Sequence, residues 1–127
     1  MAETPLKILA VLGSLHRESV TRIVLAEIAG KLEAAGCVVD VLDFEREPLP
    51  LYNPDTAYDA PAFPSLKKRV DDADVLLLGT PDYHGSMSGA MKSFLDHFWR
   101  EFAGKLFARG RLRQPAQRVP RRRDQCR

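Results

Sequence analysis

Residues 13–22, with the sequence GSLHRESVTR, place a glycine, hydroxyl groups and cationic groups directly after a short apolar run. The polar candidates in this loop are three hydroxyls and two cations, from Ser14, Ser19, Thr21, Arg17 and Arg22. At the start of a helix, unpaired N–H groups and the positive end of the helix dipole attract an anion, and nearby hydroxyls donate further hydrogen bonds. The pattern therefore favours a phosphate-binding loop. A helix N-cap with surface charges would use the same residues, so both interpretations stay open.

A second stretch, residues 80–99 (TPDYHGSMSGAMKSFLDHFW), follows the apolar run VLLLG. Pro81 would end a β-strand, and Gly85 and Gly89 would let the backbone turn and approach a ligand closely. The side chains that could project polar groups into a crevice are Asp82, Tyr83, His84 and Ser86. Such a loop suits a flat aromatic ligand. Ordinary loop packing followed by a helix cap is the alternative interpretation.

Several familiar sites are excluded by pattern. The sequence has no GxxxxGK[ST] and no GxGxxG after its first apolar run, which argues against a Walker-type nucleotide site and a dinucleotide fingerprint. Gly13 and Ser14 stand where a response regulator would need an acidic cluster. The three histidines, His16, His84 and His97, show no metal-ligand spacing, so no metal is expected.

Short apolar runs predict three buried strands, at residues 6–12, 38–42 and 75–80. Asp40 within the second run indicates an edge position or a less buried face. Residues 44–64 contain five prolines and are predicted to form a long irregular loop.

Helical periodicity predicts a first helix over residues 20–35 that stops at Gly36, and a second over residues 65–72 with Ser65 as N-cap. A third helix begins near Gly89 and carries an apolar stripe of Met91, Phe94, Leu95, Phe98 and Phe102. The alternation of strands and helices predicts an α/β protein with an open parallel sheet. Both polar loops then lie outside the carboxyl ends of strands, where such sheets bind ligands.

The two loops, GSLHRESVTR and TPDYHGSMSGAMKSFLDHF, resemble those of the NAD(P)H-dependent FMN reductase family of flavodoxin-like proteins. The resemblance covers about residues 6 to 107. It implies a flavodoxin-like sheet with helices on both faces, bound FMN, and hydride transfer from NAD(P)H to the flavin. It also implies a homo-oligomer with a helix-to-helix contact that includes part of the third helix and Trp99.

Site residues follow from the resemblance by position. The implied phosphate contacts are Ser14, Ser19, Thr21 and Arg22. The residues implied to flank the ribityl chain and the isoalloxazine ring are Pro81, Asp82, Tyr83, His84, Gly85 and Ser86. His16 stands where the family usually has arginine, and the neighbouring Arg17 is a candidate to replace it. Asp82 replaces a commoner glutamate, and Ser93 a commoner asparagine. No catalytic side chain is implied, because flavin and nicotinamide carry the chemistry.

The charge is distributed unevenly along the chain. Residues 1–104 hold 10 Lys plus Arg and 16 Asp plus Glu, a net charge of −6, whereas residues 105–127 hold 9 basic residues and 1 acid, a net charge of +8. Residues 104–108 resemble the opening of a fourth strand, and residues 109–127 are predicted to be a basic disordered tail. We interpret residues 1–108 as an incomplete flavodoxin-like FMN-binding domain, truncated or frame-shifted before its last strands. The third strand is then expected to be an exposed apolar edge.

Length and composition indicate one globular domain of 127 residues. Its two cysteines, Cys37 and Cys126, lie far apart, and the apolar N-terminal run is too short for a signal peptide or a membrane span, so a cytoplasmic protein without a membrane partner is expected. Two alternatives to the reductase remain. One is a flavodoxin-like electron carrier, and the other is an inactive fragment whose basic tail binds nucleic acid, which is the less favoured partner.

Overall fold

The structure, a computed structural model, describes residues 3–112 as a four-stranded parallel sheet between helices. The strands are β1 (Lys7–Leu12), β2 (Val38–Asp43), β3 (Val75–Pro81) and β4 (Leu106–Leu112). The helices are α1 (Val20–Ala34), α2 (Phe63–Asp72) and α3 (Gly89–Asp96), followed by a 3-10 turn at Arg100–Phe102. The strand order is β2-β1-β3-β4, all parallel, which agrees with the first four positions of the flavodoxin-like order. No helix among these residues is long and apolar enough to cross a membrane.

The two central strands, β1 and β3, are apolar on both faces because their side chains alternate between two cores. Leu9 and Val11 of β1 pack with α2 and α3, whereas Ala10 and Leu12 pack with Leu25 of α1. The predicted open α/β sheet with helices on both faces is therefore confirmed. β2 lies at one edge of the sheet, as its Asp40 indicated.

Helix α1 begins and ends where the sequence predicted. The Ser19 side chain accepts a hydrogen bond from the Arg22 N–H, and Gly36 follows the helix with a φ of 94°. Helix α2 differs, because its N-cap is Ala62, which has no side-chain cap bond, and Ser65 lies inside the helix. Pro64 occupies the first turn, where its fixed φ favours helix initiation without a polar cap. The prediction that Ser65 caps this helix was wrong.

Helix α3 is shorter than its apolar stripe. The helix ends at Asp96, and Phe102 belongs to the separate 3-10 turn. The rings of Phe94 and Phe98 nevertheless lie 5.3 Å apart, and those of Phe98 and Phe102 lie 5.7 Å apart. The stripe packs as one row, so its spacing predicted the packing correctly. It did not predict that the helix ends at Asp96.

Strand β4 corrects the expectation that β3 forms an edge. β4 pairs with β3 along its whole length, from Val75 opposite Leu106 to Pro81 opposite Leu112. β3 is therefore an interior strand, and β4 is the edge within the described part of the chain. The predicted boundary between domain and tail, after Ala108, falls inside this strand, because backbone pairing does not require apolar side chains and edge strands commonly carry charge. The remainder of the predicted tail, residues 113–127, lies outside the described residues.

β1, β3 and α3 meet at Gly13, directly after β1. The Gly13 N–H donates a hydrogen bond of 2.7 Å to the carbonyl oxygen of Gly79. A Cβ added at Gly13 would lie 3.1 Å from this oxygen and 3.1 Å from the Cβ of Met91. The loop after β1 therefore starts in a space with no room for a side chain.

We expect Gly13→Ala to lower the free energy of unfolding by about 1–3 kcal/mol, because the added methyl would overpack a rigid junction. Gly30 provides the matched control. It lies inside α1 with nothing within 4 Å of its added Cβ, so Gly30→Ala should raise the free energy of unfolding by about 0.5–1 kcal/mol. Urea unfolding of both variants measures the two effects. Equal stability of the Gly13 variant and the wild type would show that the junction has spare room.

Candidate functional site

The loop between β1 and α1 directs its hydroxyl groups toward the start of α1. Ser14 is buried, and its Oγ lies 3.4 Å from the N–H of His16, which donates to it. Ser19 caps the helix by accepting from the Arg22 N–H at 3.0 Å. Among residues 3–112, the first-turn N–H groups of Val20 and Thr21 have no hydrogen-bond acceptor. Hydroxyls and free helix amides together form a donor set that suits a phosphate.

Two ion pairs connect this loop to the end of β2. The two Nη atoms of Arg22 donate to the two carboxylate oxygens of Asp43, with the Nη2–Oδ1 distance at 3.2 Å. Arg17 donates through Nε to Glu45 at 2.9 Å, and its side chain is 85% exposed. Both cations predicted for the phosphate loop therefore have acidic partners in this structure.

The two ion pairs differ in strength because they differ in burial. Asp43 is only 7% exposed, and removing one partner of a buried pair typically costs about 3–5 kcal/mol, because the other charge is left uncompensated. The pair between Arg17 and Glu45 is at the surface, where such pairs contribute about 0–1 kcal/mol. Arg22 is held firmly at the base of the loop, and Arg17 is held loosely at its rim.

The remaining predicted residues of the first loop lie in two different environments. Thr21 is buried, and its methyl group lies 3.3 Å from the position of a Cβ added at Gly79 of β3. His16 is exposed, and its Nδ1 accepts a hydrogen bond from the Glu18 N–H at 3.0 Å. The phosphate roles of all six loop residues stay predictions, namely those of Ser14, His16, Arg17, Ser19, Thr21 and Arg22.

The loop after β3 is a tight turn. Tyr83 and Ser86 exchange two backbone hydrogen bonds of 3.0 Å each, and the residues between them, His84 and Gly85, have φ values of 54° and 78°. Two consecutive positive φ values are typical of a type I′ turn. Pro81 ends β3 and is buried, Asp82 is half-buried, and the four turn residues are exposed. The turn thus holds the side chains of Tyr83 and Ser86 at the sheet's carboxyl edge.

Ser88 joins the two loops, although the sequence analysis did not select it. Its hydroxyl donates to the carbonyl oxygen of Gly13 at 2.5 Å and accepts from the Met91 N–H at 3.1 Å. Its N–H donates to the Thr80 hydroxyl at 3.0 Å. Ser88 was detectable as a serine directly before a predicted helix start. Asp43 was detectable as an acid at the carboxyl end of a strand.

Two cavities flank this region. One, of about 450 Å³, is lined by Thr80, Gly85, Ser86, Met87 and Arg109, among others. A larger cavity of about 510 Å³ lies between the proline-rich segment and α2, and no residue predicted for the site lines it. We assign the candidate site to the first region, because ligands of open parallel sheets bind at the carboxyl ends of the strands. Among residues 3–112, no cluster of three His, Cys, Asp or Glu could hold a metal.

Asp43 is ionised in its pair with Arg22. Burial by itself raises the pKa of its carboxyl group, but hydrogen bonds from the Arg22 guanidinium and the Glu45 N–H, with the charges of Arg22 and Arg46, bring the pKa below its ordinary value. The folded-state pKa therefore lies below that of the unfolded chain. The resulting stabilisation is complete above about pH 4 and is lost as the pH falls through the folded-state pKa.

We expect Asp43→Asn to lower the free energy of unfolding at pH 7 by about 3 kcal/mol. The difference from the wild type should narrow as the pH falls below about 4, because the wild-type carboxyl group then becomes protonated. Denaturant unfolding across this pH range measures the difference. Asp59→Asn, at an exposed aspartate, is the matched control and should show no comparable loss. A difference that stays constant down to pH 2 would contradict an ionised Asp43.

Comparisons with known proteins agree with this geometry. The family model for NADPH-dependent FMN reductases matches residues 6–110. NADPH azoreductase from Bacillus sp. (strain OY1-2) is 37% identical over 93 residues, which cover 72% of this chain and 49% of that protein. A 2-hydroxy-1,4-benzoquinone reductase from Burkholderia sp. is 39% identical over 92 residues, with coverage of 72% and 49%.

A solved structure also matches. The flavoenzyme NAD(P)H:(acceptor) oxidoreductase FerB from Paracoccus denitrificans aligns with a TM-score of 0.69 and 25% identity, over 83% of this chain and 59% of that chain. The chain spans about half the length of the curated relatives it matches. The family match covers both loops and all four strands except the last two residues of β4. The chain therefore belongs to the NADPH-dependent FMN reductase family, with a flavodoxin-like sheet.

Proposed function

We propose that this chain binds FMN at the carboxyl edge of its sheet and acts as an NAD(P)H-dependent oxidoreductase of the FMN reductase type. The observation that carries the proposal is the direct connection between the two loops. The Ser88 hydroxyl bonds to the Gly13 carbonyl oxygen, and this holds the hydroxyl-rich start of α1 beside the tight turn after β3. The proposed phosphate site and the proposed ring site are thereby held next to each other.

The phosphate end of the proposed site is the start of α1. Ser14 and Ser19 supply hydroxyls, and Val20 and Thr21 supply backbone N–H groups that have no acceptor among residues 3–112. A dianionic phosphate suits these donors and the positive end of the helix dipole. His16 and Thr21 complete the set proposed for this end, together with one of the two arginines predicted for it, Arg17 or Arg22.

The ring end of the proposed site is the turn after β3. The residues proposed to flank the ribityl chain and the isoalloxazine ring are Pro81, Asp82, Tyr83, His84, Gly85 and Ser86. Two positive φ values and two mutual backbone bonds fix the turn, so a planar ligand would meet a preformed surface. The cavity of about 450 Å³ beside Gly85 and Ser86 lies within the usual volume range of small-ligand sites.

The chemistry proposed for the site is hydride transfer from a nicotinamide to the flavin. When bound, FMN would supply the hydride-accepting N5, which no side chain of this chain can replace. The protein's part is to hold the phosphate, orient the ring against the Tyr83–Ser86 turn and limit the access of water. For the final electron acceptor we propose a quinone or an azo compound, because two relatives are named as reductases of these classes.

A homo-oligomer is also proposed. Trp99, which lies between α3 and the 3-10 turn, is 88% exposed, and tryptophan is enriched at protein interfaces. Light scattering on the purified chain across a range of concentrations should give a mass above that of one chain. A monomer at every concentration would contradict the oligomer. The cytoplasmic location stays a prediction from the sequence.

FMN binding is tested by titrating the purified chain with FMN and, separately, with riboflavin, which lacks the phosphate. We expect FMN to bind more tightly, because only FMN reaches the donors at the start of α1. Ser14→Ala should weaken FMN binding about tenfold or more, since a hydrogen bond to a charged group contributes about 1.5–3 kcal/mol. Riboflavin binding should be unchanged. Quenching of flavin fluorescence measures all four affinities.

Ser65→Ala is the matched control, because Ser65 is exposed within α2 and belongs to neither loop. Equal affinity of the wild type for FMN and riboflavin would contradict the proposed phosphate site. Consumption of NADPH by the FMN-loaded chain, with a quinone or an azo dye as acceptor, then tests the activity. A chain that holds FMN without oxidising NADPH would instead be an electron carrier.

A further inference from the structure

We propose that Arg17, and not Arg22, supplies the cationic contact to the phosphate of bound FMN, and that Glu45 competes with this phosphate for Arg17. The inference rests on the proposed FMN site. It concerns the two cations of the loop, which the sequence did not distinguish. Their ion pairs distinguish them.

Arg22 is committed to Asp43. Both of its Nη atoms donate to the Asp43 carboxylate, and its Nε is buried without a hydrogen-bond partner among residues 3–112. Asp43 is buried and also accepts from the Glu45 N–H at 3.0 Å. Moving Arg22 to a phosphate would leave a buried carboxylate without its counter-charge, which is strongly unfavourable.

Arg17 has the opposite properties. Its side chain is 85% exposed, and its bond to Glu45 uses only Nε. Neither Nη atom of Arg17 has a partner among residues 3–112. Exposed pairs of this kind contribute little, so releasing Arg17 from Glu45 lowers affinity by about fivefold at most. The planar guanidinium of Arg17 is then available for bidentate contact with phosphate oxygens.

The neighbours of Arg17 support this assignment. Arg17 lies in the same short loop as Ser14 and Ser19, which hold the hydroxyls of the phosphate end. His16 uses Nδ1 to accept the Glu18 N–H at 3.0 Å, so this ring nitrogen already has a partner within the loop. Arg17 is therefore the one residue between the two serines that brings a positive charge with free donors.

Glu45 then becomes a residue that sets the preference for FMN over riboflavin. Its carboxylate is about one-quarter exposed and holds Arg17 when no phosphate is present. A phosphate that draws the Arg17 guanidinium toward Ser14 and Ser19 competes with this carboxylate for the same side chain. Loss of the carboxylate's charge should therefore strengthen FMN binding, and it should do so only while Arg17 is present.

The experiment is a double-mutant cycle read as the ratio of riboflavin to FMN dissociation constants, measured by quenching of flavin fluorescence. Arg17→Ala should lower this ratio about tenfold or more. Glu45→Gln should raise it about two- to fivefold. In the double variant, Glu45→Gln should have no further effect, because the competition acts through Arg17.

Two more variants distinguish a direct contact between Arg17 and the phosphate from a general effect of positive charge on FMN binding. Arg46→Ala removes an exposed cation that lies 3.7 Å from Asp43 and should leave the ratio unchanged. Arg22→Lys keeps its charge but loses the bidentate geometry, and it should lower the midpoint of thermal unfolding while the ratio stays the same.

Several results would overturn the inference. One is an unchanged ratio in Arg17→Ala, and another is a collapse of the ratio in Arg22→Lys. A drop in Arg46→Ala as large as that in Arg17→Ala would show a diffuse charge effect. If Glu45→Gln changed the ratio equally with and without Arg17, the Glu45 carboxylate would act by direct repulsion of the phosphate and not through Arg17. A wild type that binds neither flavin would contradict the proposed function, and the inference would fail with it. Tight FMN binding together with any of the other results would contradict the inference alone.

Discussion

The close contact at Gly13 is the constraint on which the rest of the site depends. Its N–H bonds to β3 through the Gly79 carbonyl oxygen, and its carbonyl oxygen accepts from Ser88 at the start of α3. Both polar backbone groups of one residue thus fix the first loop to the elements that carry the second. Because a side chain at Gly13 would lie 3.1 Å from Met91 and from β3, the contact needs a glycine. The relative position of the two loops follows from this junction.

The second constraint is electrostatic. Asp43 lies next to the first loop because β2 pairs with β1 in parallel, with Leu12 opposite Asp43. A buried carboxylate there would repel any anion at the start of α1, and the bidentate bond from Arg22 neutralises it. The cost of burying one acid therefore determines which arginine is free for other contacts. Two cations that look equivalent in the sequence differ in burial and in the strength of their ion pairs.

Sequence patterns predicted the strands and loops because apolar runs mark buried strands and glycines mark the turns that follow them. They predicted only the opening of β4 and assigned its second half to a disordered tail, because the arginines there resemble such a tail although the backbone pairs with β3 as far as Leu112. They also missed the pairing of Arg22 with Asp43, which joins residues 21 positions apart across two elements. Side-chain partners of this kind depend on strand register, and register is a property of the assembled sheet. The sequence therefore predicted where the two loops lie in the fold, but not how the charges within them are paired.

The two ends of the proposed site differ in how rigidly the surrounding structure holds them. The proposed phosphate end rests on buried groups, namely Ser14, Asp43 and the Gly13 junction, so its donors are held in place before a ligand arrives. The ring end rests on an exposed turn and on the edge strand β4, whose Arg109 forms part of the cavity wall. Preorganised donors lose little entropy on binding, whereas exposed segments can adjust to the ligand. This arrangement favours strict recognition of the phosphate, with tolerance at the ring where different electron acceptors would have to approach.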